Sequence, residues 1–238
     1  MRRALIIVGK PPAPGQTKTR LAPPLSADGA AALYRGFLLD SVSLGLGLGW
    51  EQVTVVHPRA GGEALAALLP GQIRLLEQPG QGLADALPYA FARHLAGGFD
   101  RVVLIGSDNP TLPRGLIEQA CAALDDHDLA IGPSADGGYY LVGLREAHLG
   151  VFDAIEWSTS RVYFQTLARA DQLDLRVCQL PEWYDVDEPA DLARLQHELA
   201  TSADDVAPHT RAALQRLYSG AGWSGGTSSV GVRPERSA

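Results

Sequence analysis

ALIIVGKPPAPGQTKTRLAP, Ala4 to Pro23, joins a short apolar run to a stiff basic loop. Ala4–Val8 is apolar at every position, as expected of a strand buried on both faces of a parallel sheet. The loop that follows holds Pro11, Pro12 and Pro14, then Gly15, then Lys18 and Arg20 in close succession. A Walker P-loop needs Lys directly after its second glycine. Here Gln16 and Thr17 intervene, and the prolines lack the N–H groups with which a P-loop cradles phosphate. What remains is a rigid loop that brings Lys10, Lys18 and Arg20 above the end of the first strand, with Gly9 and Gly15 beside them. Diphosphate or triphosphate suits these cations, because Arg offers a bidentate fork and Lys a point charge. The competing reading is a solvated basic loop.

Outward from this loop, short β-branched runs alternate with helix-like segments. Strands are predicted at Gln52–His57, Ile73–Gln78, Arg101 onward, Asp128–Pro133, Tyr139–Leu144 and Leu175–Leu180. Helices are predicted at Ser26–Val42 with Ser26 as N-cap, Gly61–Leu69, Gly82–Ala96, Leu116–Leu124, Ser160–Ala170, Pro189–Ala200 and Ala207–Leu217. The alternation implies an α/β fold built of βαβ units, with a mostly parallel sheet covered on both faces. Ligands in such folds bind outside the carboxyl ends of the strands. The distinctive polar stretches Lys10–Arg20, Gln78–Asp85 and Gly106–Pro110 fall there. We expect one catalytic domain over residues 1–200, a helical extension over 201–218, and an unstructured Gly- and Ser-rich tail over 219–238, in which Trp223 is the residue able to dock.

The chain has 238 residues, 46% of them hydrophobic, and a formal net charge of −7. Acidity argues against nucleic acid as a partner, since a phosphate-tracking surface needs clustered basic charge. No apolar run reaches membrane length, and the apolar run near the start is too short for a signal peptide. Cys121 and Cys178 are isolated, as in the core of a cytoplasmic protein. The six histidines show no metal spacing, and no nucleophile-elbow or Cys-His arrangement occurs.

Three acidic stretches carry further chemistry. RVVLIGSDNPTLP (Arg101–Pro113) puts Asp108 just past a strand, where a carboxylate can hold Mg²⁺ or Mn²⁺ against phosphate oxygens; a plain turn residue is the alternative. SADGGYYLVGL (Ser134–Leu144) sets Asp136 before Gly137, Gly138 and Tyr139, a pattern shared with an ordinary Asp-Gly hairpin. WYDVDEPADL (Trp183–Leu192) supplies Asp185, Asp187 and Glu188 ahead of a helix whose first turn suits Pro189. Asp187 or Glu188 could cap that helix, and Asp191 is expected to face solvent.

The pattern K-x-P-x-P-G-x-x-K-T-R-L-A-P after a first strand resembles nucleotidyltransferases and glycosyltransferases of the glycosyltransferase-A fold. It is most similar to a small bacterial family of unknown function associated in some genomes with arsenosugar biosynthesis, and 2-phospholactate guanylyltransferases share a similar opening. The resemblance spans Ala4 to about Leu199. It implies a Rossmann-like three-layer sandwich with a mostly parallel mixed sheet, and a nucleotide held over the first strand by Gly9, Lys10, Gly15, Lys18 and Arg20, with Gln78 and Gly82 of EQPGQGLADAL (Glu77–Leu87) at the base. It carries the metal role onto Asp108, although a single aspartate stands where many relatives have Asp-x-Asp, and it places a second metal ligand at Asp187, with Asp185 as the alternative. The same resemblance puts Asp136, Gly137, Gly138 and Tyr139 in a sugar or acceptor pocket, with Asp136 able to orient a hydroxyl or act as general base. IEWSTSRV (Ile155–Val162) resembles a family motif in which Trp157 stacks on a sugar and Ser158 lies beside it. A helix cap at Ser158 or Thr159 is the simpler reading. The leading expectation is metal-assisted transfer of a sugar from a nucleotide-diphosphate sugar to a small acceptor. The alternatives are nucleotidyl transfer from a nucleoside triphosphate with release of pyrophosphate, and a non-catalytic nucleotide-binding regulator.

Overall fold

A computed structural model describes residues 1–80 and 82–219. Seven strands form one sheet: β1 (Arg3–Val8), β2 (Gln52–His57), β3 (Arg74–Glu77), β4 (Arg101–Gly106), β5 (Leu129–Pro133), β6 (Tyr139–Leu144) and β7 (Val177–Gln179). Their order across the sheet is β3-β2-β1-β4-β6-β5-β7. Every pairing is parallel except the two that β6 makes with β4 and β5. The sheet is therefore mostly parallel, as the alternation of strands and helices implied, and mixed, as the family resemblance implied.

The helices are α1 (Ala27–Gly47), α2 (Gly62–Leu68), α3 (Leu83–Ala96), α4 (Arg114–Ala123), α5 (Val162–Gln172), α6 (Pro189–Thr201) and α7 (Pro208–Ser219). Side-chain alternation along β1 explains their distribution. Leu5 and Ile7 point into one core with Leu38 and Val42 of α1, Leu65 of α2 and Ile117 of α4. Ala4 and Ile6 point into the other, with Leu87 and Phe91 of α3 and Ala170 of α5. Both faces of the sheet are thus covered. Each fully buried Leu, Ile or Phe here stabilises the fold by roughly 1.5–3 kcal/mol relative to exposure.

A third apolar cluster lies to one side, where Tyr34 and Phe37 of α1 meet Leu192 and Leu195 of α6 and Leu214 of α7. Here α7 lies across α1 at Gly36, whose missing side chain leaves room for the backbone of His209 and Thr210; a Cβ at Gly36 would stand 3.0 Å from the His209 carbonyl oxygen. Asp40, buried in α1, accepts hydrogen bonds from the first N–H groups of α7, those of His209 and Thr210, at 3.0 and 2.8 Å. This satisfies donors that a helix start otherwise leaves unpaired.

Ser26 caps α1 as expected, accepting from the Gly29 N–H at 3.0 Å. The helix runs five residues beyond Val42, to Gly47. Two local expectations are overturned. Asp191 is half-buried and not simply solvated: its carboxylate accepts from the N–H groups of Glu188 and Asp187 at 2.8 and 3.1 Å and closes the first turn of α6. Nor do Ser158 and Thr159 cap α5, which begins at Val162 behind Arg161 with no side-chain cap. The tail expected over 219–238, Trp223 included, lies outside the described residues except for Ser219, the last residue of α7.

Candidate active site

Because the parallel strands share one direction, their carboxyl ends emerge at one edge. The connections after β1, β3, β4 and β7 and the β5–β6 turn all gather there. Gly9 continues β1 by donating to the Val56 carbonyl at 3.0 Å. The loop beyond it is stitched to itself: Gln16 and Thr17 both donate to the Ala13 carbonyl at 3.1 Å, and Lys10 Nζ donates to the Gln16 carbonyl at 2.9 Å. The prolines need no partners, which is why so short a loop can be stiff without leaving donors unpaired.

The loop delivers Lys18 into the heart of the edge. Its Nζ lies 2.7 Å from Asp108 Oδ1 and 2.7 Å from Asp187 Oδ1. The Lys18 side chain is 4% exposed, against 40% for Asp108 and 42% for Asp187. Burial works to lower the Lys18 pKa, but the two carboxylates outweigh it and the net shift is upward. Lys18 also adopts a left-handed backbone conformation, φ +49°, uncommon for a residue with a side chain. Asp108 follows β4 by two residues. Asp187 reaches it because the Val186 N–H donates to the Asp108 carbonyl at 2.9 Å, laying the segment after β7 alongside the end of β4.

Two adjoining hollows open around this triad. The first, about 340 Å³, is lined by Gly9, Lys10, Lys18, Gln78, Gly82, Asp108 and Asp187 together with Tyr34 and Ser107. Gln78 is buried, and its amide donates to the carbonyls of Gly80 and Gly82 at 3.0 and 3.4 Å, drawing that loop over the hollow. Gly82 has φ +82°, a conformation that favours glycine. The second hollow, about 480 Å³, is lined by Asp136, Gly138, Tyr139, Trp157, Ser158 and Arg20, and shares Asp108 and Asp187 with the first. Tyr139 and Trp157 meet edge to face, with ring centroids 6.4 Å apart. Asp136 Oδ1 accepts from the Gly138 N–H at 2.9 Å, so the turn reading and the site position coexist in one residue.

Two glycines singled out in the sequence line neither hollow. Gly15 is exposed, and a side chain there would meet nothing within 4 Å. Gly137 serves packing: a Cβ there would collide with the Ser160 carbonyl oxygen, and its own carbonyl accepts from the Tyr163 N–H, fixing the β5–β6 turn to the start of α5.

The protein matches, over residues 45–159, the family described as "Uncharacterized protein conserved in bacteria (DUF2064)". It is 32% identical over 184 residues to a phosphoenolpyruvate guanylyltransferase of Sphaerobacter thermophilus, covering 75% of this chain and 86% of that one. A "putative nucleotide-diphospho-sugar transferase" from Desulfovibrio desulfuricans G20 shares 34% identity with a TM-score of 0.84, covering 92% of this chain and 96% of that one. The chain belongs to the DUF2064 family. More distantly, Rv0371c of Mycobacterium tuberculosis H37Rv, solved in complex with manganese, shares the fold at 17% identity and a TM-score of 0.52 over 83% of this chain and 98% of that one. The fold expected from the sequence is the observed one.

Of the two acidic candidates after β7, Asp187 turns toward Lys18 and Asp185 turns away. The Asp185 carboxylate accepts from Ser134 Oγ at 2.5 Å and Asn109 Nδ2 at 2.7 Å. Its burial, opposed by the Ser134 bond and reinforced by Asp108, Asp136 and Asp187, lifts its pKa to about 7. Asp108 and Asp187 converge on one point, and hard divalent cations accept such oxygen ligands. Among the described residues no set of three His, Cys, Asp or Glu side chains is placed to hold a metal. Two carboxylates fit a cation that takes its remaining ligands from phosphate and water, as Mg²⁺ commonly does.

Tyr34 and Ser107 are the site residues that the sequence did not disclose. The Tyr34 hydroxyl accepts from the Lys10 N–H at 3.0 Å and lies 2.9 Å from Ser107 Oγ. Burial, with Asp108 adding to it, pushes the phenol up to about 12, so it stays protonated. A tyrosine inside a helix carries no spacing signal. Ser107 had one, since it stands directly before Asp108.

Proposed function

We propose that this protein is a metal-assisted nucleotidyltransferase. An anionic acceptor, a phospho-acid or a sugar phosphate, attacks the α-phosphorus of a nucleoside triphosphate. The bond from that phosphorus to the bridging oxygen breaks, and pyrophosphate leaves. The observation that carries this reading is Arg20. It lines the second hollow, on the acceptor side of Asp108 and Asp187, and has no ion-pair or hydrogen-bond partner among the described residues. A free guanidinium suits an anionic acceptor by bidentate recognition. A phosphate nucleophile is ionised already and needs no general base, which fits a second hollow whose Asp136 is engaged by the Gly138 N–H. The guanylyltransferase relative, similar over most of its length, supports the same chemistry and makes GTP the first triphosphate to test.

In this reading the first hollow takes the nucleotide, with Gln78 and Gly82 toward the base and Lys10 and Lys18 toward the phosphates. A divalent ion, Mg²⁺ or Mn²⁺, held by Asp108 and Asp187 would supply charge neutralisation at the reacting phosphates. Lys18, carried into the hollow by its stiff loop, neutralises the leaving pyrophosphate by electrostatic stabilisation.

Sugar transfer from a nucleotide-diphosphate sugar is the second reading. It rests on the wall formed by Tyr139 and Trp157, since aromatic faces suit sugar rings. One assay separates the two. The protein is incubated with Mg²⁺ or Mn²⁺ and either triphosphates plus phosphoenolpyruvate and sugar phosphates, or nucleotide sugars, and the released product is identified. Pyrophosphate, lost in Asp108→Asn, supports nucleotidyl transfer. Nucleoside diphosphate from a nucleotide sugar, with no turnover of any triphosphate, replaces it with sugar transfer.

A further inference from the structure

Lys18 Nζ occupies the point on which Asp108 and Asp187 converge, 2.7 Å from an oxygen of each. This is also where a divalent ion would be held, so lysine and metal cannot share the position. We infer that Lys18 is a built-in counter-ion that exchanges with the metal, so that metal binds together with the nucleotide and not before it. The inference rests on the reading of Asp108 and Asp187 as the metal-holding pair.

Three observations carry it. The first is the symmetry of the contact. A lysine serving only the phosphates of a nucleotide has no need to sit equally close to two carboxylates that both face the hollow. The second is the burial of Lys18, at 4% exposure, on a loop whose backbone at that residue is left-handed. The loop sustains an unfavourable backbone conformation at the very residue that bridges the carboxylates, and such conformations persist where the surroundings over-determine them. The third is the ligand count. With two protein carboxylates and no third His, Cys, Asp or Glu side chain placed to join them among the described residues, a metal arriving alone gains little coordination while displacing a charged, doubly bonded lysine. A metal arriving with a triphosphate gains phosphate oxygens, and the displaced ammonium gains those phosphates as a new partner. The first hollow contains both Lys18 and the space a nucleotide would fill, so the exchange needs only a swing of the side chain.

The consequence is reciprocal coupling: nucleotide tightens metal binding and metal tightens nucleotide binding by one factor. Removing the lysine should move the two affinities in opposite directions. Charge-assisted hydrogen bonds are strong enough that Lys18→Met should tighten Mn²⁺ binding without nucleotide by about tenfold or more, while weakening GTP. Lys18→Arg, which keeps a cation in place, should leave Mn²⁺ binding as weak as in the parent.

The test is titration of the full chain with Mn²⁺, following the free-ion signal by electron paramagnetic resonance, with and without GTP. Circular dichroism checks that each variant is folded, and Lys18→Gln stands in if Lys18→Met is not. Tighter Mn²⁺ binding in the uncharged variant, with a smaller enhancement by GTP, supports the exchange. Unchanged Mn²⁺ binding in the uncharged variant, with binding lost in Asp108→Asn, overturns the exchange and leaves the metal pair standing. If Asp108→Asn and Asp187→Asn both bind Mn²⁺ with GTP as the parent does, the metal reading itself is wrong and the exchange falls with it.

Discussion

The hydroxyl of Tyr34 lies 2.9 Å from Oγ of Ser107, and through it α1 holds the basic loop against the end of β4. The same oxygen accepts from the Lys10 N–H. Tyr34→Phe removes both bonds and leaves the Lys10 N–H to find water. Neutral hydrogen bonds contribute about 0.5–1.5 kcal/mol each, so we expect a stability loss of about 1–2 kcal/mol in urea unfolding. Nucleotide affinity should fall severalfold, because the loop loses its fixed distance from Asp108. Unchanged nucleotide affinity in a destabilised variant would limit Tyr34 to folding.

Arg20 and Lys18 belong to one loop but line different walls. Arg20→Ala is expected to raise the KM for a phosphorylated acceptor about tenfold or more, the size of one charge-assisted contact, and to leave the KM for nucleotide nearly unchanged. Steady-state kinetics with each substrate varied in turn reads the split. A rise confined to the nucleotide KM would return Arg20 to the phosphate-binding role that the sequence suggested.

Asp187→Asn should reduce metal-dependent turnover by at least a hundredfold, with the melting temperature close to that of the parent. Lys18 keeps Asp108 as partner in that variant, so no buried charge is left unpaired. Asp185→Asn should behave differently. Its carboxylate binds Ser134 and Asn109 and not Lys18, and burial already disfavours its charge, so a neutral amide there should leave metal affinity nearly unchanged. Calorimetry with and without Mn²⁺ distinguishes them, and metal loss in Asp185→Asn alone would reverse the assignment.

A pH dependence follows from Asp128, far from the site. Burial alone would raise its pKa, but the backbone N–H and guanidinium of Arg176 and the guanidinium of Arg145 overcome it and hold the group at about 2. A carboxylate depressed in the folded state contributes stability above its unfolded pKa of 3.8 and loses it as pH falls toward about 2. Asp128→Asn should therefore cost about 1–2 kcal/mol at neutral pH, after allowance for solvent screening. The difference from the parent should shrink between pH 4 and pH 2. A constant difference across that range would show that the ion pairs contribute nothing.

The strands and helices were legible because their signals are local. Ala4–Val8 is apolar at each position, and Ser26 precedes a helical run with its capping oxygen in place. The five residues added to α1 were not, since Gly45 and Gly47 weaken a helical reading; Gly45 is tolerated because a side chain there would meet Leu5 at 2.8 Å. The carboxylates were legible as types, but the choice between Asp185 and Asp187 depends on a long-range backbone bond, Val186 to Asp108. That Lys18 bridges two of them was invisible, because it needs the loop folded back across a strand distant in sequence. Asp191 was misjudged for the opposite reason: its partners are its own neighbours, but a polar residue in a first turn reads equally well as solvated.

Strand β6 runs against its neighbours, so a short turn, residues 134–138, joins it to β5. A parallel neighbour would have required a crossover of a dozen residues or more, usually a helix. The edge above β5 and β6 is thus roofed by largely exposed connections, the 134–138 turn and the stretch 153–161, and not by a packed helix. Such connections accept insertions and substitutions that a core does not. The fold accordingly separates what can drift from what cannot. Changes in the wall at Asp136 and Trp157 therefore leave untouched the loop after β1 that carries Lys18 and the segments after β4 and β7 that carry Asp108 and Asp187.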